Sequence, residues 1–190
     1  MINSDQDISS AVAVLRKGGI IVYPTDTVWG IGCDACNSDA VRRVFEIKRR
    51  ADSKALITLV ADEDEIARYT DSDISTAREV TGASLRPTTV IYPHARGLAP
   101  ELVGEDGSVG IRLTSEAVSA SICRGLGRPI VSTSANISGC PAPSIYSEIS
   151  DEILNVADYV VMARRDDNTK ALPSRIIKIG PDGSVTVIRP

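Results

Sequence analysis

Four short segments carry side chains whose types and spacing could do chemistry, three of them toward an anionic ligand and one toward a small polar ligand. Residues 42–54 hold six basic and two acidic side chains in an otherwise acidic chain, ending in Lys48-Arg49-Arg50-Ala51-Asp52-Ser53-Lys54. Arg and Lys suit phosphate oxygens, although cations at a helix C-terminus also complement its dipole. Lys48 and Arg50 stand two apart and would diverge on a regular helix, so they act as one clamp only if the helix ends near Lys48. Ser132-Thr133-Ser134-Ala135-Asn136-Ile137-Ser138 packs five hydroxyl or amide side chains into seven positions after an apolar run. Small donors of this kind surround phosphate or carboxylate oxygens without steric conflict. Pro24-Thr25-Asp26-Thr27-Val28-Trp29-Gly30-Ile31-Gly32 places two hydroxyls and a carboxylate between apolar runs, either as turn caps or as ligand contacts with glycines that let the backbone come close. Arg112 interrupts the apolar run Gly110-Ile111-Arg112-Leu113, where a charge needs a structural partner or an anionic ligand.

Other chemistries are excluded or unsupported. His94 is the single histidine, so a multi-histidine zinc site is impossible. No G-x-S-x-G elbow accompanies the serines, and no G-x-x-x-x-G-K-[ST] or G-x-G-x-x-G loop is present. Cys33 and Cys36 have the spacing of a redox or half-zinc pair, but no second pair exists, and we read Cys33, Cys36, Cys123 and Cys140 as reduced structural thiols. With 21 basic and 25 acidic residues the net charge is −4, so any nucleic-acid contact must come from a local basic patch. The polar, acidic first ten residues are no signal peptide, and no apolar run approaches the roughly 20 residues of a spanning helix. The expectation is a cytoplasmic protein without a membrane partner.

The elements that must position these segments follow from periodicity. The 190 residues are 43% hydrophobic and only 4% aromatic, enough for one domain with an aliphatic core. Helical stripes run over 8–17, from a cap at 37–39 to the basic cluster, over 62–69, 72–81, from a Ser115 cap to 124, and weakly over 145–154. Strand-like runs cover 20–23, 28–33, 55–60, 88–92, 109–113, 129–133, 159–162, 175–179 and 185–188, the last two joined through Pro181-Asp182-Gly183 as a hairpin. Strands and helices alternate without a clean βαβ rhythm, and the end reads antiparallel. This predicts a single α/β domain with a mixed parallel and antiparallel sheet flanked by helices, spanning residues 1–190.

Taken in order, the Pro-Thr-Asp-Thr segment, Lys-Arg-Arg with Ser-Lys-Ala-Leu, Gly-Ile-Arg-Leu, and Ser-Thr-Ser-Ala-Asn-Ile-Ser-Gly resemble the YrdC family, the L-threonylcarbamoyladenylate synthases. The resemblance runs from about residue 11 to the C-terminus. It implies a twisted mixed sheet with a concave, positively charged face. It implies nucleotidyl transfer: L-threonine, bicarbonate or CO2, and ATP with Mg2+ give threonylcarbamoyl-AMP and pyrophosphate. A separate complex then moves the threonylcarbamoyl group to tRNA. Longer relatives add a second domain for which this chain is too short. The same basic face suggests the rival role, a non-catalytic double-stranded RNA-binding or ribosome-maturation factor, which the acidic balance and few aromatics disfavour.

Position by position, the resemblance makes Thr25, Arg112 and Ser132 threonine contacts. Lys48 and Arg50 match its catalytic Lys-x-Arg phosphate contacts, and Lys54, Ser134, Asn136 and Ser144 join them around ATP. It assigns no metal ligands. Ala55 and Thr114 stand where proline is usual, Arg86-Pro87 replaces Gly-Pro, and Ser174-Arg175 replaces Ser-Thr. These departures bear on rate and substrate preference.

Overall fold

A computed structural model of the protein describes residues 4–49, 56–82, 84 and 86–190. The first helix, α1 (Ser4–Arg16), buries Ala11, Val12 and Leu15 and stops at Gly18, whose φ of +76° suits glycine. A tight pair follows, β1 (Ile21–Tyr23) antiparallel to β2 (Gly30–Gly32). The Asn37 side chain then caps α2 (Ser38–Ile47) by accepting from Ala40 N. Beyond it come β3 (Ile57–Val60), α3 (Ser75–Gly82), β4 (Thr88–Tyr92), β5 (Val109–Leu113), α4 (Ala117–Leu126) and β6 (Ile130–Ser134). The chain closes with α5 (Asp151–Val156), β7 (Tyr159–Val160) and the predicted hairpin of β8 (Arg175–Ile179) and β9 (Val185–Arg189).

The described strands form one nine-stranded mixed sheet in the order β7-β1-β2-β6-β3-β5-β4-β8-β9, as the alternation predicted. Side chains alternate between its faces, and paired residues share a face. On one face Val22, Ile31, Val131, Ile111, Val90 and Ile177 are buried under α2 and α5 at one end and under α3 with Ile66 and Tyr69 at the other. On the opposite face Ile21, Tyr23, Leu59 and Ile130 are buried under α1 and α4, against Leu15, Ile122 and Leu126. Those two helices cover only half of that face. Gly30, Ser132, Ser134, Ile57, Gly110, Arg112 and Ile176 share its other half by register, and there all but Gly110, whose added Cβ would stand 3.6 Å from Thr89 Cγ2, line an open cleft.

Several boundaries differ from the sequence pattern. Residues 62–69 give only a 3₁₀ turn, Glu63–Arg68, whose first turn is a run of three carboxylates and which buries Ile66 alone. Residues 145–154 split into a 3₁₀ turn, Tyr146–Glu148, and the six-residue α5, because Ile149 and Ser150 are extended. The α4 cap is Glu116 rather than Ser115; its carboxylate accepts from Ser119 N at 2.7 Å. The predicted strand 28–33 shortens because Trp29 N bonds Pro143 O at 2.9 Å, outside the sheet. The predicted strand 159–162 shortens because the buried Asp7 carboxylate accepts from Met162 N and Ala163 N, both at 2.9 Å.

Candidate active site in the bare half of the sheet

The cleft has a volume of about 270 Å³. Its floor is strand: Gly30, Ile57, Arg112, Ser132, Ser134, Ile176 and Arg189. The β1–β2 loop supplies one wall through Thr25, Thr27 and Val28, while Ala142, Pro173 and Ser174 supply others. Glycine is what keeps the floor low at residue 30, where a Cβ would stand 3.2 Å from Thr25 Cγ2 and 3.5 Å from Ser132 Oγ.

Arg112 points into this space from β5 and is 3% exposed. Its Nη2 lies 2.9 Å from Asp26 Oδ1, so the structural ion pair of the sequence reading is present, and the residue also lines the cleft. Its Nε is buried with no hydrogen-bond partner among the described residues. Burial pushes the Asp26 carboxyl above its ordinary range, and the neighbouring Arg112 charge offsets part of that rise.

Sequence reasoning missed Arg189. Its Nε donates to Ser174 O at 2.8 Å and its Nη2 to Ser174 Oγ at 3.1 Å. Ser174 Oγ in turn shares a hydrogen bond of 2.9 Å with Thr89 Oγ1. Desolvation, then the charges of Arg112 and Arg86, lower the Arg189 pKa, which marks a convergence of guanidinium groups. The hairpin was visible in sequence, but the bulge at Ile176/Ile177 that sets Arg189 opposite Ile176 was not.

Ser132 and Ser134 lie on the floor as expected, beside Tyr23, whose phenol burial pushes up and whose hydroxyl donates to Val131 O at 2.9 Å. Thr25 lines the wall, but its hydroxyl donates to Val28 O at 2.8 Å and accepts from Thr27 N at 3.0 Å, an internal turn of the loop. Arg164, in the left-handed region at φ +61°, donates to Thr25 O at 3.2 Å and also pairs with Glu116 and Asp167.

Three expected contacts are not cleft-lining side chains. Lys48 is 2% exposed, and its Nζ donates to Ser134 O at 2.6 Å and Asn136 O at 2.8 Å. Asn136 braces its own loop, Nδ2 donating to Cys140 O at 2.6 Å and Ile137 O at 3.1 Å. Ser144 lies two residues beyond Ala142 and its N–H donates to Glu148 Oε2 at 2.8 Å. Arg50 and Lys54 lie outside the described residues. The basic and hydroxyl segments nonetheless meet, since Ser138 N also donates to Lys48 O at 3.0 Å.

No described group of three or more His, Cys, Asp or Glu side chains could hold a metal ion. All four cysteines are free; burial pushes the Cys33 thiol up and the Cys123 thiol up to about 12.

The Sua5/YciO/YrdC family model, which carries the description "Telomere recombination", matches residues 13–190. A Methylococcus capsulatus protein named threonylcarbamoyl-AMP synthase is 42% identical over 134 residues, 68% of this chain and 70% of that protein. A Xanthomonas axonopodis pv. citri protein of the same name is 36% identical over 169 residues, 87% of this chain and 88% of that one. Among solved structures, P. abyssi Sua5 complexed with L-threonine has the same fold, with a TM-score of 0.86 at 22% identity. That match covers all of this chain but 55% of the Sua5 chain, so the present chain spans about half of it. On the strength of the family match and these relatives, the chain belongs to the Sua5/YciO/YrdC family.

Proposed function

We propose that this protein is a nucleotidyltransferase that makes L-threonylcarbamoyl-AMP from L-threonine, bicarbonate or CO2, and ATP, releasing pyrophosphate. The observation that carries the reading is the cleft itself: Arg112 and Arg189 with a row of strand hydroxyls, on the half-face that no described helix covers. The names of the curated relatives supply the substrate class.

The chemistry needs no protein nucleophile. The threonine amine adds to CO2 and loses a proton, giving a carbamate. A carbamate oxygen attacks the α-phosphorus of ATP, a new P–O bond forms, and the bond to the pyrophosphate oxygen breaks. What the protein must supply is alignment and compensation of negative charge. Arg112 and Arg189 supply the charge, Ser132 and Ser134 supply hydroxyl donors at the floor, and Thr25 shapes the wall. Asn136 and Ser144 act from the loop behind the floor. Arg50 and Lys54 remain candidates for the phosphates on the resemblance alone.

The described lining has no carboxylate. Magnesium therefore enters as the counter-ion of ATP, held by the nucleotide's own phosphates and by cleft hydroxyls, where it would neutralise phosphate charge. A purely RNA-binding role is not favoured, because the charge that distinguishes this cleft faces inward on a nearly buried Arg112. The product would pass to a separate complex acting on tRNA in the cytoplasm. No described helix is long and apolar enough to cross a membrane.

The test is pyrophosphate release in the presence of ATP and bicarbonate. It should depend on threonine and fail without it. Threonine-independent release, or none, overturns the reading.

A further inference from the structure

We infer that Lys48 is a positioning residue that holds the 134–136 loop, and that its ammonium does not bind substrate phosphate. The inference rests on the cleft being the adenylate site, and it reassigns the residue that sequence matching placed at the phosphates. An ammonium has three N–H donors. Among the described residues three acceptors surround Lys48 Nζ: Ser134 O at 2.6 Å, Asn136 O at 2.8 Å and Asn136 Oδ1 at 3.4 Å. The side chain is almost wholly inside the protein, at 2% exposure, and it does not line the cleft. A charge so buried is stable only while hydrogen-bonded. Turning it toward a phosphate would take a donor from Asn136 O and Asn136 Oδ1, which costs free energy, and from Ser134 O, which would keep, among the described donors, only the Asn136 N–H at 2.8 Å.

The local fold is built around this arrangement. Lys48 is the C-cap of α2, so the side chain leaves from the point where the helix stops. Its own carbonyl accepts from Ser138 N at 3.0 Å, so residue 48 grips the loop from both ends of the residue. Between those grips sit Ser134, on the cleft floor, and Asn136, whose Nδ2 closes the loop onto Cys140 O. Fixing the Ser134 carbonyl fixes the backbone from which the Ser134 hydroxyl projects. Lys48 thus acts on any ligand through Ser134.

Two measurements test this. In the wild-type protein labelled with ¹⁵N-lysine, one ammonium signal, assigned by its loss in Lys48→Arg, should be visible through slow exchange before any ligand is added. It should barely move on adding AMP or ATP. A signal that is absent from the free protein and emerges only with nucleotide overturns the inference. In Lys48→Met, adenosine, L-threonine and AMP should all weaken by a similar factor, about tenfold. A loss of about tenfold for AMP with adenosine and threonine unchanged identifies a phosphate ligand and overturns it. If Lys48→Met does not fold, the wild-type spectrum decides alone. If the wild-type protein binds neither AMP nor threonine, the adenylate reading falls, while the free-protein signal still decides where the ammonium is held.

Discussion

Under the proposed function, Arg112 serves both stability and chemistry. Asp26 matches its charge in the free protein, and its unpaired Nε is left for an incoming anion. Replacing it by Met should remove about 2–4 kcal/mol of transition-state stabilisation, read as lost pyrophosphate release. It should also destabilise the fold, because Asp26 is left buried without a counter-charge. The double variant Arg112→Met/Asp26→Asn should recover stability in urea unfolding and leave turnover low; recovery of turnover would contradict a ligand role for Arg112. Gly30 offers a gentler probe. Gly30→Ala adds a methyl that meets Thr25 Cγ2 at 3.2 Å, within reach of a small shift. It should fold and raise KM for threonine more than KM for ATP. At this scale the sequence exposed residues whose side chains line the cleft, such as Arg112, Ser132 and Ser134. It could not expose Lys48's partners, because two of them are main-chain carbonyls and every residue has one.

At the scale of elements, the strands were legible because β-branched runs bounded by Gly and Pro are local signals. Short helices were not, because a turn of three to six residues is decided by caps and neighbours rather than by its own stripe. Asp7 is the clearest case. It sits on the buried side of α1 and ends β7 from a distance, taking Met162 N, Ala163 N and Tyr159 Oη. Asp7→Ala should cost about 3 kcal/mol in chemical unfolding, since charge-assisted bonds are lost and buried donors are orphaned. Gly32 makes the opposite point to Gly30 on the same strand: an added Cβ would lie 1.7 Å from Val131 O. Gly32→Ala should break the β2–β6 pairing and give little soluble protein. Arg189 was unreadable for a third reason: which edge the terminal hairpin joins, and with which register, is settled only when β8 pairs with β4.

For the whole molecule, the net charge is −4, yet the cleft gathers Arg112, Arg189 and, nearby, Arg86. A local positive field inside an acidic protein favours small polyanions over long nucleic acid. The loop from Met162 to Ser174 ends at the cleft, where Pro173 and Ser174 line it, and Asp167 pairs with Arg164 within that loop. The Thr169 N–H, the Thr169 hydroxyl and then Arg164 hold the Asp167 carboxyl at about 2, below its ordinary 3.8. A lowered folded-state pKa contributes stability that is present above pH 3.8 and lost as pH falls toward 2. The stability difference between wild type and Asp167→Asn should therefore be full near neutral pH, shrink as pH falls below 3.8 and disappear only below the folded-state value of about 2; a difference that does not shrink across that range would show that Asp167 does not act through its charge.

Because the cleft floor is pleated strand, its chemistry can be edited at alternate positions only. Ile57, Arg112 and Ile176 line the cleft, while Thr58, Ile111 and Ile177 lie on the opposite face, toward the helices behind. Selection for a new substrate acting on the first set leaves hydrophobic packing intact, whereas a one-residue insertion in any of these strands would exchange the two sets and sacrifice both. Diversification of this scaffold is thereby channelled into point substitutions on every second residue and into the loops at the strand ends.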